Sequence, residues 1–114
     1  FNEIYVNADQ DQLNRTIINL LRNSIQADAN KISVRVDVAG NYCKILINDN
    51  GGGIKPDVIS KIFDANYTTK KSGMGIGLSL AKRFVESVGG SISVEKTSDS
   101  GTTFLINLPL ANNE

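Results

Sequence analysis

The chain has no histidine and no tryptophan, a single cysteine, two prolines and no surplus of either charge. Each scarcity excludes something. Without histidine, a Ser-His-Asp triad, an imidazole-ligated metal and an imidazole general base are all impossible within these residues. Cys43 alone cannot form an internal disulfide, and no Cys/His cluster has zinc spacing. Twelve basic side chains cancel twelve acidic ones, so the chain lacks the cationic excess on which sequence-blind nucleic-acid binding depends. No apolar run approaches the ~20 residues that span a bilayer, and no signal peptide opens the chain. The expectation is a soluble, cytoplasmic domain that binds no nucleic acid and makes no direct membrane contact. Its chemistry must rest on carboxylates, amides, lysines, backbone dipoles or a partner's side chain.

What is present suits one domain over residues 1–114. Apolar residues make up 40% of the chain and charged residues 21%, enough for a core without a metal or disulfide staple and unlike a disordered chain. Residues 4–6 read as a short strand. A helix opens at 9–12 and returns Leu13, Ile17, Leu20, Leu21 and Ser24 to one face, fading over 27–30. Strands over 31–38 and 43–47 alternate around a Gly40-Asn41 turn, with Ile32, Val34, Val36 and Val38 on one side of the first. Pro56 starts a short helix carrying Val58, Ile59, Ile62 and Phe63. Residues 64–73 are a polar loop, 74–88 a helix stopped by Gly89-Gly90, and 91–95 and 102–108 two closing strands. The predicted fold class is an α+β two-layer sandwich: a mixed, mostly antiparallel sheet of about five strands with three helices on one face.

Three features could carry chemistry. Nine of the ten glycines follow residue 50, clustered at Gly51–Gly53 and at Gly73, Gly75 and Gly77. The second cluster leads into a helix, where bare amides and the positive end of the macrodipole favour a phosphate; a purely structural turn is an equal reading. The P-loop, protein-kinase and Rossmann signatures are absent. Asn19 and Asn23 stack four apart on the first helix, and an amide oxygen there could be a neutral Mg²⁺ ligand while phosphates and waters complete the shell. A solvated helix flank is the bland alternative. Asp49 ends a strand just before Gly51, where its carboxylate can accept a hydrogen bond from an exocyclic amine or simply form a turn.

In order, the chain carries Asn19-Leu20-Leu21-Arg22-Asn23, Asp49-Asn50-Gly51-Gly52-Gly53, Ile62-Phe63-Asp64 with Thr68-Thr69-Lys70, Gly73-Met74-Gly75-Ile76-Gly77-Leu78 and Gly101-Thr102-Thr103-Phe104. This series resembles the N, G1, F, G2 and G3 boxes of the catalytic, ATP-binding domain of bacterial sensor histidine kinases, which share a Bergerat-type fold with gyrase, Hsp90 and MutL. The resemblance covers about residues 9–109. It implies ATP and Mg²⁺ as cofactors, with Asn23 as the metal ligand and Asn19, Asn23 and Lys70 in the catalytic set. Asp49 would take the adenine amine, Gly51, Gly53 and Ile54 would flank the base, and Thr102 would join Asp49 there through water. Gly73, Gly75, Ile76, Gly77 and Leu78 would face the phosphates, with Thr69 and Lys70 reaching from a lid over residues 64–72. Phe63 would serve as the lid's hinge, as a partner contact or as plain core.

Two departures stand out. Gln26 and Ala27 occupy positions where many members carry Lys and an aromatic or His, and 64–67 replaces the usual Pro and Phe. Asn19 stands where the ATP-hydrolysing branches carry a water-activating Glu, which favours phosphoryl transfer over hydrolysis. The implied activity is transfer of the γ-phosphoryl group to a histidine on a dimerisation domain outside this chain, and thence to a response regulator, in a full-length protein that could be membrane-anchored. The rivals are an anti-sigma-type serine kinase and an inactive nucleotide-binding module of the same fold.

Overall fold

A computed structural model describes residues 4–64 and 78–111. Asp9 opens the first helix, α1 (Gln10–Gln26), by accepting the Gln12 N–H on its side chain at 3.1 Å, as an N-cap should. Its buried row is Thr16, Leu20 and Ser24, at intervals of four, with Leu13, Ile17 and Leu21 packed beside it. The hairpin that follows joins β1 (Ile32–Ala39) to β2 (Tyr42–Asp49) in register from Ile32–Asp49 to Ala39–Tyr42.

Pro56 heads α2 (Pro56–Ile59), a single turn of four residues that hands the chain to further turns. These turns deliver Ile62 to the core, fully buried, and leave Phe63 half-buried with the Lys82 ammonium 5.8 Å from its ring centre. Phe63 therefore has a packing role. After Leu78 comes α3 (Ser79–Ser87). It closes with Gly89 at φ 85°, where the Gly89 N–H donates to Glu86 and the Gly90 N–H to Val85, a Schellman ending. Strands β3 (Ser91–Ser98) and β4 (Gly101–Pro109) complete the sheet.

The sheet order is β1-β2-β4-β3 and every pairing among the described residues is antiparallel. The expected five-stranded mixed sheet is therefore a four-stranded antiparallel one. Residues 4–6 join the sheet through the isolated Val6–Leu110 bridge and an Ala111 N–H to Tyr5 C=O bond rather than as a named strand. The three helices are present, the middle one reduced to a turn.

Cys43, Ile45 and Ile47 of β2, Phe104, Ile106 and Leu108 of β4 and Ile92 of β3 face the helices and form the core with Leu20, Ile62, Leu78, Ala81, Phe84 and Val85. α1 lies against β2, and α3 against β3 and β4. Among the described residues no helix packs closely over β1, and its inward row of Val34, Val36 and Val38 is about half exposed. Burial also pushes the Cys43 thiol pKa above its ordinary value, which keeps that cysteine protonated and inert.

Candidate functional site

The site grows from the lower end of β2. Asp49 is 5% exposed, and a carboxylate so deep must be met by donors. Three serve it. Its Oδ1 accepts the Gly51 N–H at 2.9 Å, the Asx-turn expected of an aspartate ending a strand, and the Thr102 N–H at 3.3 Å. Its Oδ2 accepts the Ser24 hydroxyl at 2.6 Å, which ties α1 to the sheet. The turn-forming and ligand-binding readings of Asp49 thus coexist in one side chain, since Oδ2 keeps a free lone pair after bonding Ser24.

Gly51 and Gly53 are required for a reason the sequence reading did not supply. A Cβ on Gly51 would sit 2.7 Å from the Ala27 carbonyl oxygen at the end of α1, and one on Gly53, at φ 80°, would collide with the Ser98 carbonyl. Both glycines let the loop approach the protein's own backbone. The Gly52 N–H then donates to the Ala27 carbonyl at 3.0 Å, pinning this loop to α1.

A bulge in β3 sets the opposite wall. Val94 pairs with Phe104 but Lys96 pairs with Thr103, so Glu95 is extra and the inward parity shifts. Thr97 rather than Lys96 then turns inward, its hydroxyl 2.8 Å from that of Thr102, and it accepts the Ile54 N–H at 2.9 Å. Thr102 is buried, as its shared parity with Phe104 and Ile106 predicts. Thr103 lies on the outer face, bonded to the Asn48 amide oxygen.

Asn23, Ala27, Asp49, Gly53, Ile54, Thr102 and Phe104 enclose a cavity of about 30 Å³. That is room for about one water, so these walls must part to admit a purine ring. Asn23 presents to it the one unusual group: its Nδ2 is buried and has no hydrogen-bond partner among the described residues. Such an orphan costs about 1–3 kcal/mol unless a water in the cavity or a ligand meets it. Turned half a turn about χ2, the same amide offers its oxygen. Among the described residues no three His, Cys, Asp or Glu side chains gather into a metal site. A neutral amide oxygen at Asn23 fits Mg²⁺ that brings phosphate oxygens and waters with it.

Asn19, one turn before Asn23, is exposed and lines a larger open groove of about 490 Å³ between α1 and α3, with Arg15 and Arg83 on its walls. Leu78 is 1% exposed and belongs to the core, and its N–H donates to the Ile62 carbonyl. That amide is thus already engaged and not free for a phosphate. Thr69, Lys70, Gly73, Gly75, Ile76 and Gly77 lie outside the described residues. Sequence reasoning missed Ser24 and Thr97. A serine on an otherwise apolar row signalled the first, and a lysine falling on the inward row of β3 signalled the bulge that produces the second.

The model of the histidine kinase-, DNA gyrase B- and HSP90-like ATPase family matches residues 8–112. The chain belongs to that family. It is 33% identical over 109 residues to the sensor protein FixL of Bradyrhizobium diazoefficiens, covering 91% of this chain and 22% of FixL. It is 38% identical over 107 residues to the sensor histidine kinase ZraS of Escherichia coli K12, covering 92% and 23%. The chain therefore spans about a fifth to a quarter of these relatives. Among solved structures, the nucleotide-free catalytic domain of the histidine kinase ThkA superposes with a TM-score of 0.80 at 30% identity, over 91% of this chain and 70% of that one. The α+β fold of the histidine kinase ATPase domains is shared, with the four-stranded antiparallel sheet described above.

Proposed function

We propose that the domain binds Mg·ATP between α1 and the 49–54 loop and donates the γ-phosphoryl group to a histidine on another domain of the same protein. The observation that carries the reading is the orphaned Asn23 amide facing the cavity it shares with Asp49, in a chain of this family. Asp49 would accept the adenine amine on its remaining lone pair. Asn23 would give one oxygen to Mg²⁺, which when bound would neutralise phosphate charge. Asn19 would lie along the phosphates without serving as a base, because an amide cannot take a proton from water. Lys70, with Thr69 and the amides of residues 73–77, would close over the γ-phosphate.

The acceptor must come from elsewhere, since these residues contain no histidine. The relatives are sensor histidine kinases that are several times longer, which supports an acceptor and signalling domains outside this chain and a response regulator downstream. The serine-kinase alternative has no support among them.

Titration calorimetry tests the reading. Mg·ATP should bind, and Asp49→Asn should erase the preference for ATP over GTP, because an amide N–H₂ set against the adenine amine replaces acceptor by donor. Unchanged base preference would remove Asp49 from the adenine. Incubated alone with labelled ATP, the chain should form no phosphohistidine and hydrolyse little; rapid hydrolysis would refute the role given to Asn19.

A further inference from the structure

We propose that β1 is a pairing edge for a second copy of this chain, the two strands joining antiparallel about Val36 into one continuous sheet. This rests on the uncovered side of the molecule and holds whether or not the cavity binds ATP.

β1 is an edge strand of eight residues with no bulge and no proline, the form of edge that proteins usually blunt. The Asn50 N–H donates to the Lys31 carbonyl, and alternation from that bond turns the N–H and C=O groups of Val34, Val36 and Val38 away from β2. Their side chains are 50%, 47% and 53% exposed on the helix side of the sheet. α1 leaves that region open, because its polar flank, with Arg15 and Asn19, faces the groove against α3 on the other side of the helix.

Charge fixes the occupant and the register. On the outer face of β1, Arg35 and Asp37 sit two residues apart, 2.9 Å from each other and open to solvent. Two-fold antiparallel pairing about Val36 sets Val34 opposite Val38, Val36 opposite its own copy, and Arg35 opposite Asp37, twice. A shift of two residues either way places Arg35 against Arg35 or Asp37 against Asp37. Centred on Val36, the apolar row, the outward backbone groups and the charges of β1 are all self-complementary, which favours a second copy over an unrelated segment. Both helix layers fall on the same side of the joined sheet, so the two valine rows form one apolar strip between them, and the groove between α1 and α3 remains open.

Sedimentation equilibrium on this chain at low salt tests it, with circular dichroism to check that each variant folds. The wild type should show a reversible monomer–dimer equilibrium. Val36→Lys should abolish the dimer. Arg35→Asp and Asp37→Arg should each raise its dissociation constant about tenfold, and the double exchange, which restores opposite charges across the axis, should return it to near the wild-type value. A wild type that stays monomeric into the millimolar range overturns the proposal. So does a dimer that survives Val36→Lys, or a double exchange no better than the single ones.

Discussion

The floor of the small cavity and its α1 wall differ in how completely their polar groups are satisfied. At the floor, both oxygens of Asp49 are engaged by donors from three different segments: α1, the loop after β2, and β4. At the wall, beside the buried row of α1, the Asn23 amide nitrogen is buried with no partner among the described residues. The first arrangement holds without any ligand and helps to hold the fold. The second is a cost until a water or a ligand meets it, so under the proposed function Asp49 builds the site and Asn23 waits in it.

This contrast breaks most visibly at Asp49. Asp49→Ala strands the Gly51 and Thr102 amides and the Ser24 hydroxyl, so urea unfolding should show a loss of at least about 3 kcal/mol; a loss below 1 would mean that the network is incidental. Ser24→Ala leaves one carboxylate oxygen without its donor and should cost about 2 kcal/mol. If it costs nothing, α1 is held to the sheet by packing alone. Asn23→Ala should run the other way. It removes an unsatisfied amide, so unfolding free energy should stay within about 0.5 kcal/mol of wild type or rise, while Mg·ATP affinity falls about tenfold and metal-free ADP affinity much less. Equal losses for the two ligands would take Asn23 away from the metal.

Much of this was legible in the sequence because it is periodic or compositional. α1, the β1–β2 hairpin, the glycine stop after α3 and the inward parity of Thr102 follow from spacing and turn chemistry. The five ordered motifs led to the family. What escaped depended on the third dimension. Alternation makes Val34, Val36 and Val38 look like a buried row, but burial needs a helix above them and α1 lies chiefly against β2. Strict alternation takes no account of the bulge at Glu95 and sends Lys96 inward in place of Thr97, the misplaced lysine being its one sign. Gly51 and Gly53 read as room for a base, and the structure has them accommodating the backbone at Ala27 and Ser98.

The smallest expected effect sharpens the same comparison at the end of the α1 wall. Both long helices close with the same pair of bonds. In α1 the Asp28 N–H reaches Ile25 and the Ala29 N–H reaches Ser24, just as Gly89 and Gly90 reach back in α3. The residue held in the left-handed region is Gly89 in one and Asp28, at φ 64°, in the other. An L-residue there costs roughly 1 kcal/mol, partly offset by the extra freedom that glycine gains on unfolding. Asp28→Gly should therefore stabilise the domain by about 0.5 kcal/mol, a rise of 2–3 °C or so in Tm. Because Ala27 already anchors the loop through the Gly52 amide, nucleotide affinity should not change. A falling Tm would show that the Asp28 side chain contributes more than its backbone strain costs, and an altered affinity would show that the α1 wall is less firmly set than its capping bonds imply.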